Sequence, residues 1–169
     1  MMADIILDTM ILADLLAQYY ENNVLERGYF EVKGKLHKDL TQKINRILNW
    51  HLGDDDSKYP GIIVASSFAF VEIARKFDNI SNGCFKIEQF AAFIDQPPGW
   101  FVIASVDSAL FPSLGSLPRE ISLPNGDIKP IEWADAIHIA TAMSRDEPWL
   151  LASTDTSIKE VRFLKNKVI

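Results

Sequence analysis

The sequence predicts an α/β fold, a three-layer sandwich with a mainly parallel central sheet. Short apolar runs recur at residues 5–7, 61–65, 101–104 and 149–152, and segments with helical spacing lie between them. Continuous apolar runs are typical of strands that are covered on both faces, as parallel strands are. The chain has 169 residues and is 48% hydrophobic, which suits one sizeable core but not two. We therefore expect residues 1–169 to form a single domain.

The first apolar run predicts a strand that ends immediately before Asp8. Apolar residues between Ile11 and Tyr19 then follow helical spacing. Asp8 is thus placed after a strand and before a helix, and in parallel α/β sheets this edge is where ligands bind. An N-cap role for Asp8 or Thr9 explains the same position equally well. Both interpretations stay open from the sequence.

Residues 25–60 are predicted to be an insertion that contains a basic amphipathic helix. We expect an extended arm at 29–35, and apolar residues between 40 and 52 follow helical spacing. The polar face of that helix carries the basic residues Lys38, Lys43 and Arg46. This face is a candidate surface for RNA or an acidic partner, although a solvated face explains the charges more simply. The aspartates at 54–56 lack the ligand pattern of a calcium loop, so we expect a solvated turn there.

The second strand leads into a helix that Ser66 or Ser67 can cap and whose apolar residues continue to Phe77. Glu72 lies about one turn into this helix, among apolar side chains, and Arg75 shares its face. A local Glu72–Arg75 ion pair is the simplest explanation, but the surrounding apolar density argues against an exposed pair. Arg75 is also a candidate RNA contact.

The middle of the chain continues the alternation of elements. We expect a helix at 84–95, a strand at 101–104, a short helix or turn at 106–114 and a hairpin that turns at Asn125-Gly126. Strands alternating with helices are typical of α/β domains with a parallel sheet.

Residues 132–143 are rich in alanine and isoleucine and contain no Gly or Pro, which predicts a helix packed on most of its circumference. Asp135 lies near its start, in the same row as His138. A carboxylate in so apolar a neighbourhood must be hydrogen-bonded, paired or bound to a cation. Complementing the positive helix N-terminus, worth roughly 0.3–1 kcal/mol, is the simpler explanation for Asp135. His138 is expected to be a core histidine.

The last predicted strand, 149–152, is followed by Asp155, which repeats the arrangement at Asp8. Lys159, four residues further on, is a candidate ion-pair partner for Asp155 or a phosphate contact. Residues 161–169 are predicted to add an edge strand to the sheet.

Four acids therefore fall at predicted strand ends or helix starts: Asp8, Glu72, Asp135 and Asp155. In a parallel sheet these positions converge on one edge. Carboxylates packed together repel one another and raise each other's pKa unless a cation neutralises them. Hard oxygen ligands suit Mg²⁺ or Mn²⁺, which can activate water and stabilise a phosphodiester transition state. The sequence contains no P-loop, dinucleotide fingerprint or nucleophile-elbow serine that would indicate other chemistry.

The residues that carry these acids also resemble a known family. The sequence is similar to PIN-domain proteins, and most closely to the VapC-like ribonucleases of toxin–antitoxin pairs. The matching segments are 6–9, 67–73, 134–142 and 153–155, in that order over almost the whole chain. The third segment, Ala-Asp-Ala-Ile-His-Ile-Ala-Thr-Ala, is the most specific of them.

The resemblance implies a metal-dependent endoribonuclease. Asp8, Glu72 and Asp135 would hold Mg²⁺ or Mn²⁺, Asp155 would complete the acidic pocket, and Thr9 and Thr154 would orient carboxylates or waters. It further implies RNA as the substrate, a homodimer, and a small antitoxin protein that blocks the site.

Two features depart from the family pattern. Thr156 and Ser157 stand where a further acid or asparagine commonly follows the last aspartate, and the segment between Asp8 and Glu72 is longer than in compact members. An alternative is therefore a non-catalytic PIN-like binding or assembly module, whose acids mainly cap helices. A phosphatase is disfavoured because Met10 stands where a second aspartate is needed, and a receiver domain is disfavoured because no lysine stands at the end of strand 149–152.

Composition limits the cellular setting. The single cysteine, Cys84, excludes a disulfide within the chain and indicates a reducing compartment. No apolar run is long enough to span a membrane and no basic leader precedes the first strand, so we expect a cytoplasmic protein without membrane contact. The net charge of −6 disfavours a broad electrostatic grip on nucleic acid, except where bound metal ions cancel the acids locally.

Overall fold

A computed structural model describes residues 3–21, 30, 38–53, 60–161 and 164–169. Its central sheet contains four parallel strands in the order β3-β2-β1-β6. The strands are β1 (Asp4–Leu7), β2 (Ile63–Ser66), β3 (Phe101–Ala104) and β6 (Trp149–Ala152). The predicted α/β class, its parallel sheet and its four apolar strands are confirmed.

Seven α-helices occur among the described residues. They are α1 (Thr9–Glu21), α2 (Lys38–Leu52), α3 (Ser67–Arg75), α4 (Phe77–Ser81), α5 (Ile87–Asp95), α6 (Phe111–Ser116) and α7 (Trp133–Met143). Short 3₁₀ turns span Ser108–Leu110 and Thr156–Glu160, and a separate hairpin pairs β4 (Glu120–Ser122) with β5 (Ile128–Pro130). In the part of the chain that the structure describes, no helix combines the length and apolarity needed to cross a bilayer.

The pleat of the strands divides the core between the two faces of the sheet. Ile5 and Leu7 pack on one face with the apolar sides of α1, α2, α3 and α5. Ile6 and Val64 pack on the other face with Ile139 of α7. Because side chains alternate along a strand, each strand contributes to both clusters and is apolar except at the ends occupied by Asp4 and Ser66. Helices therefore cover both faces, which is compatible with the predicted three-layer sandwich.

The connectivity creates a crevice beside β1. From β1 the chain goes to β2 and then β3 on one side, and it later returns to β6 on the other side. At such a reversal of strand order, neighbouring connections leave in opposite directions and open a space at the carboxyl ends of the strands. Asp8 follows β1 and Asp155 follows β6, so both acids are placed at this crevice.

Several element boundaries differ from the sequence expectation. The helix predicted to run through Phe77 breaks at Lys76, and the helix expected from Cys84 begins only at Ile87. Among the described residues of the C-terminal tail, 161 and 164–169, there is one parallel bridge, Leu151 to Val168, rather than a full edge strand.

The insertion is described only in part. Its predicted amphipathic helix is present as α2 and buries Leu40, Ile44, Ile47 and Leu48. The arm predicted at 29–35, apart from the buried Phe30, and the turn at 54–56 lie outside the described residues.

Candidate active site

The four predicted acids line one cleft of about 230 Å³ at the carboxyl edge of the sheet. Its other walls come from α1, α3, α4 and α7. The lining side chains are those of Asp8, Thr9, Met10, Glu72, Lys76, Ile80, Ala134, Asp135, His138, Thr154 and Asp155.

Asp8 has two structural partners within the cleft. One carboxylate oxygen accepts a hydrogen bond from the backbone N–H of Ile11 at 2.9 Å, which caps α1. The other oxygen accepts from the backbone N–H and the hydroxyl of Thr154, at 2.7 and 3.3 Å. Only 7% of Asp8 is exposed, so these bonds hold a nearly buried carboxylate in one orientation. One oxygen of Asp8 therefore has the predicted N-cap role. The other oxygen, through its bonds to Thr154, links the end of β1 to the end of β6.

Glu72 belongs to a chain of hydrogen bonds across the cleft. The Thr9 hydroxyl donates to the Glu72 carboxylate at 2.5 Å and lies 3.2 Å from His138 Nε2. Since that hydroxyl has one proton, which goes to Glu72, His138 Nε2 must be the donor to Thr9. His138 Nδ1 lies 3.5 Å from the Ser66 hydroxyl, which also accepts from the N–H of Ala69 and so caps α3. The chain fixes Glu72 relative to both α1 and α7.

The same contacts set the charge state of Glu72. Interaction with the His138 imidazole, whose Nε2 lies 3.7 Å from the carboxylate, lowers the pKa of Glu72. Burial opposes this effect, and the Thr9 hydroxyl adds to it. Glu72 is thereby kept ionised next to the other acids.

Asp135 differs from the other three acids because no residue in the described ranges donates a hydrogen bond to its carboxylate or forms an ion pair with it. Burial is the main reason that the pKa of Asp135 is raised, and the charges of Asp155 and Asp8 add to it. His138 and Lys129 offset part of this repulsion. Asp135 is thus a half-buried carboxylate that faces other acids without a direct partner, which is the situation that a bound cation would relieve.

Asp155 has the most complete set of partners. Lys129 Nζ lies 2.7 Å from its carboxylate, and the hydroxyl and backbone N–H of Ser157 donate to it at 2.6 and 2.8 Å. Burial alone would raise the pKa of Asp155, but these donors outweigh burial and lower it. Lys129 comes from the β4–β5 hairpin, so the predicted pairing of Asp155 with Lys159 is wrong: β5, not the next helical turn, supplies the cation.

The predicted basic contacts lie outside the cleft. Arg75 is exposed at the end of α3, where Lys76 and not Arg75 lines the cleft. Lys43 and Arg46 border a separate cavity of about 480 Å³ beside Ala3 and Trp149, at the opposite, amino edge of the sheet. Lys38 is exposed near the start of α2, and Lys159 is absent from the cleft lining. None of the five basic residues predicted to contact RNA therefore borders the four acids.

Three polar residues of the site were not predicted: His138 and Lys76, which line the cleft, and Lys129, which contacts Asp155 from the hairpin. His138 was expected in the core, and it is only 2% exposed, yet its ring forms part of the wall beside Glu72. Its position three residues after Asp135 was the available signal, because that spacing shares a helix face. Lys76, four residues after Glu72, was detectable in the same way. Lys129 carried no signal, since its position depends on how the hairpin packs.

The four carboxylates of the cleft meet some of the requirements of a divalent cation. Carboxylates from four elements in one cleft provide the hard oxygen donors that Mg²⁺ or Mn²⁺ prefers, and Asp135 provides an uncompensated charge. Within the described ranges, however, no three His, Cys, Asp or Glu side chains are arranged as a ready ligand set. The donor chemistry fits a cation, whereas several carboxylate oxygens are engaged in hydrogen bonds.

No family model matches the chain, and no curated protein or solved structure matches it either.

Proposed function

We propose that the chain is a PIN-like, metal-dependent endoribonuclease that hydrolyses RNA phosphodiester bonds. The observation that supports this most strongly is Asp135, a half-buried carboxylate without a direct partner that faces Asp8 and Asp155 in one cleft. Helix capping explains one oxygen of Asp8 and part of Asp155. Asp135 lies in the first turn of α7, where the helix N-terminus favours its charge by about 0.3–1 kcal/mol, but it accepts no hydrogen bond within the described residues and faces two other acids. A divalent cation would neutralise Asp135 together with Asp8 and Asp155, the two acids that it faces.

In this proposal Asp8, Glu72 and Asp135 hold Mg²⁺ or Mn²⁺, and Asp155 contributes least because Lys129 already neutralises it. When bound, such an ion supplies an activated water and stabilises charge on the phosphodiester. Thr154 orients Asp8, and Thr9 orients Glu72. Lys76 supplies a cation at the cleft that can hold a substrate phosphate. The reaction is direct hydrolysis without a covalent enzyme intermediate.

The second candidate is a non-catalytic binding or assembly module. It is favoured by the hydrogen bonds through which Asp8 caps α1 and Asp155 caps the following 3₁₀ turn. It is favoured as well by the lack of a ready ligand set within the described part of the chain. In that case the protein would bind divalent cations weakly and would be fully folded without them.

Cleavage of a mixed pool of structured and single-stranded RNA separates the two candidates. The purified protein is incubated with Mg²⁺, Mn²⁺ or EDTA beside an Asp135→Asn variant. This variant is a cleaner control than Asp8→Asn, since an asparagine at position 8 places an amide donor against the N–H of Thr154. The nuclease proposal expects cutting that requires metal and disappears in Asp135→Asn. A folded, inhibitor-free protein that cuts under no condition would favour the module.

The toxin assignment, an antitoxin partner and a homodimer are proposed from the sequence resemblance alone, and a cytoplasmic location is proposed from the composition of the chain. An antitoxin that blocks the cleft would co-purify with the chain when a small adjacent reading frame is co-expressed, and it would suppress RNA cleavage. Light scattering of the purified chain gives the oligomeric state. A monomer that no co-expressed small protein inhibits would contradict the toxin assignment without affecting the nuclease proposal.

A further inference from the structure

A groove of about 720 Å³ lies on the other side of α7 from the acidic cleft. Its walls include Phe111, Leu114, Ile131 and Trp133. The side chains of Trp133 and Phe111 are 77% and 66% exposed, although both are large aromatic groups. Large aromatic residues normally bury most of their surface, so two of them on one open groove indicate a binding surface.

The groove and the cleft share the first turn of α7. Trp133 and Ala136 face the groove, whereas Ala134 and Asp135 face the cleft. The two surfaces are therefore separated by one helix, which is about 10–12 Å wide with its side chains. An RNA strand with a phosphate at the carboxylates reaches the groove within a few nucleotides.

One cation beside the aromatic rings offers a contact for a phosphate of a nucleic acid. Arg119 lines the same groove and forms no ion pair with any residue that the structure describes. Its guanidinium is therefore available to a phosphate oxygen. Glu120 and Glu132 are also exposed along this stretch, so the surface is not broadly basic. Such a surface would bind a nucleic acid mainly through stacking of bases on the aromatic rings, with about one phosphate contact in addition.

We infer that the groove is a stacking site for an unpaired base, with Trp133 and Phe111 as the platform and Arg119 as the phosphate contact. This inference rests on the proposed nuclease function and makes its substrate single-stranded RNA. Bases inside a duplex cannot stack on protein rings, whereas bases of a single strand can. The groove volume lies within the range of about 300–1,000 Å³ that is usual for small-molecule sites.

The test measures binding of a fluorescein-labelled 12-nucleotide RNA without self-complementarity, in EDTA so that no cleavage occurs. The same RNA annealed to its complement serves as the duplex probe. We expect Trp133→Ala to weaken single-strand binding by about 5- to 150-fold, as loss of base stacking does, and Trp133→Phe to retain most of it. Ile128→Ala is the matched control, because Ile128 is 66% exposed on the hairpin but does not line the groove. The salt dependence should be shallow, with a log–log slope of about −0.7 for one phosphate contact.

Equal single-strand binding by wild type and Trp133→Ala would overturn the inference, as would equal binding of both probes or no binding at all. A change in molecular mass of Trp133→Ala in light scattering, with RNA binding unchanged, would instead assign the groove to an interface between copies of the chain. Cleavage assays in Mg²⁺ separate this inference from the proposed function. Metal-dependent cutting with an unchanged KM in Trp133→Ala contradicts only the stacking site. Trp133-dependent binding without metal-dependent cutting contradicts only the nuclease.

Discussion

Among single residues, Asp135 allows the clearest test of the electrostatics of the cleft. The pKa of Asp135 is raised by burial and by Asp155 and Asp8, so its protonated form is favoured by folding. Its contribution to stability is therefore present below the ordinary pKa of aspartate, near 3.9, and is lost as pH rises through the raised value. At neutral pH the ionised carboxylate destabilises the fold.

Asp135→Asn should therefore raise the melting temperature at pH 7 in EDTA, and the difference from wild type should disappear in acid. Glu72 and Asp155, whose pKa values are lowered, are common to both proteins and so do not reverse this comparison. Thermal unfolding followed by circular dichroism at several pH values measures it. A variant that is less stable than wild type at pH 7 would show that Asp135 has a stabilising partner and would remove the argument for a cation.

Thr9 tests whether the orientation of Glu72 matters. Thr9→Val keeps the side-chain shape but removes the hydroxyl that contacts Glu72 and His138. Loss of such an orienting contact typically costs 10- to 100-fold in metal affinity or activity, together with about 1 kcal/mol of stability. The matched control is Thr141→Val, because the Thr141 hydroxyl on α7 donates only to the backbone carbonyl of Ile137. If both variants cleave RNA at equal rates, the Thr9 contact has no role in activity.

At the level of elements, the residue that precedes β2 shows how closely β1 and β2 are packed. Gly61 has a φ of +95°, and a Cβ there would lie 2.5 Å from the carbonyl oxygen of Ala3. Gly126 in the hairpin has a similar φ of +88°, but a Cβ there would meet no atom within 4 Å. An alanine would therefore be under similar backbone strain at either position, and only at position 61 would it also clash with a neighbour.

Gly126→Ala should cost about 1–2 kcal/mol from strain alone, and Gly61→Ala should cost about 1–3 kcal/mol more from the clash beside β1. Urea unfolding of the two variants gives the difference. Equal unfolding midpoints would mean that β1 and β2 can separate locally without loss, which would contradict the close packing described for the sheet.

The strands were predictable because each is covered on both faces and so carries a continuous apolar run, as in Ile5-Ile6-Leu7. Element ends were less predictable. The apolar pattern of α3 continues through Phe77, yet the helix ends at Arg75, and the cap at Lys76 turns that lysine toward the cleft. Whether Arg75 or Lys76 faces Glu72 is decided by this local geometry, since both spacings share a helix face.

At the scale of the whole molecule, the sequence correctly placed four acids at one edge because strand order and polarity bring the ends of β1 and β6 together. It could not place the groove beside them. Trp133 and Phe111 look like core residues in the sequence, and their exposure depends on how α6 packs against α7. The Lys129–Asp155 pair likewise depends on docking of the hairpin, 26 residues away in the chain.

The initial rate of RNA cleavage as a function of Mn²⁺ concentration, measured for wild type and Asp135→Asn in parallel, decides whether the acidic cleft is a metal-dependent nuclease site. We expect a saturable dependence for wild type, and for the variant a rate at least about 10-fold lower or a half-saturation shifted by that factor. Superimposable curves for the two proteins, or wild-type cleavage that persists unchanged in EDTA, would contradict the proposed function.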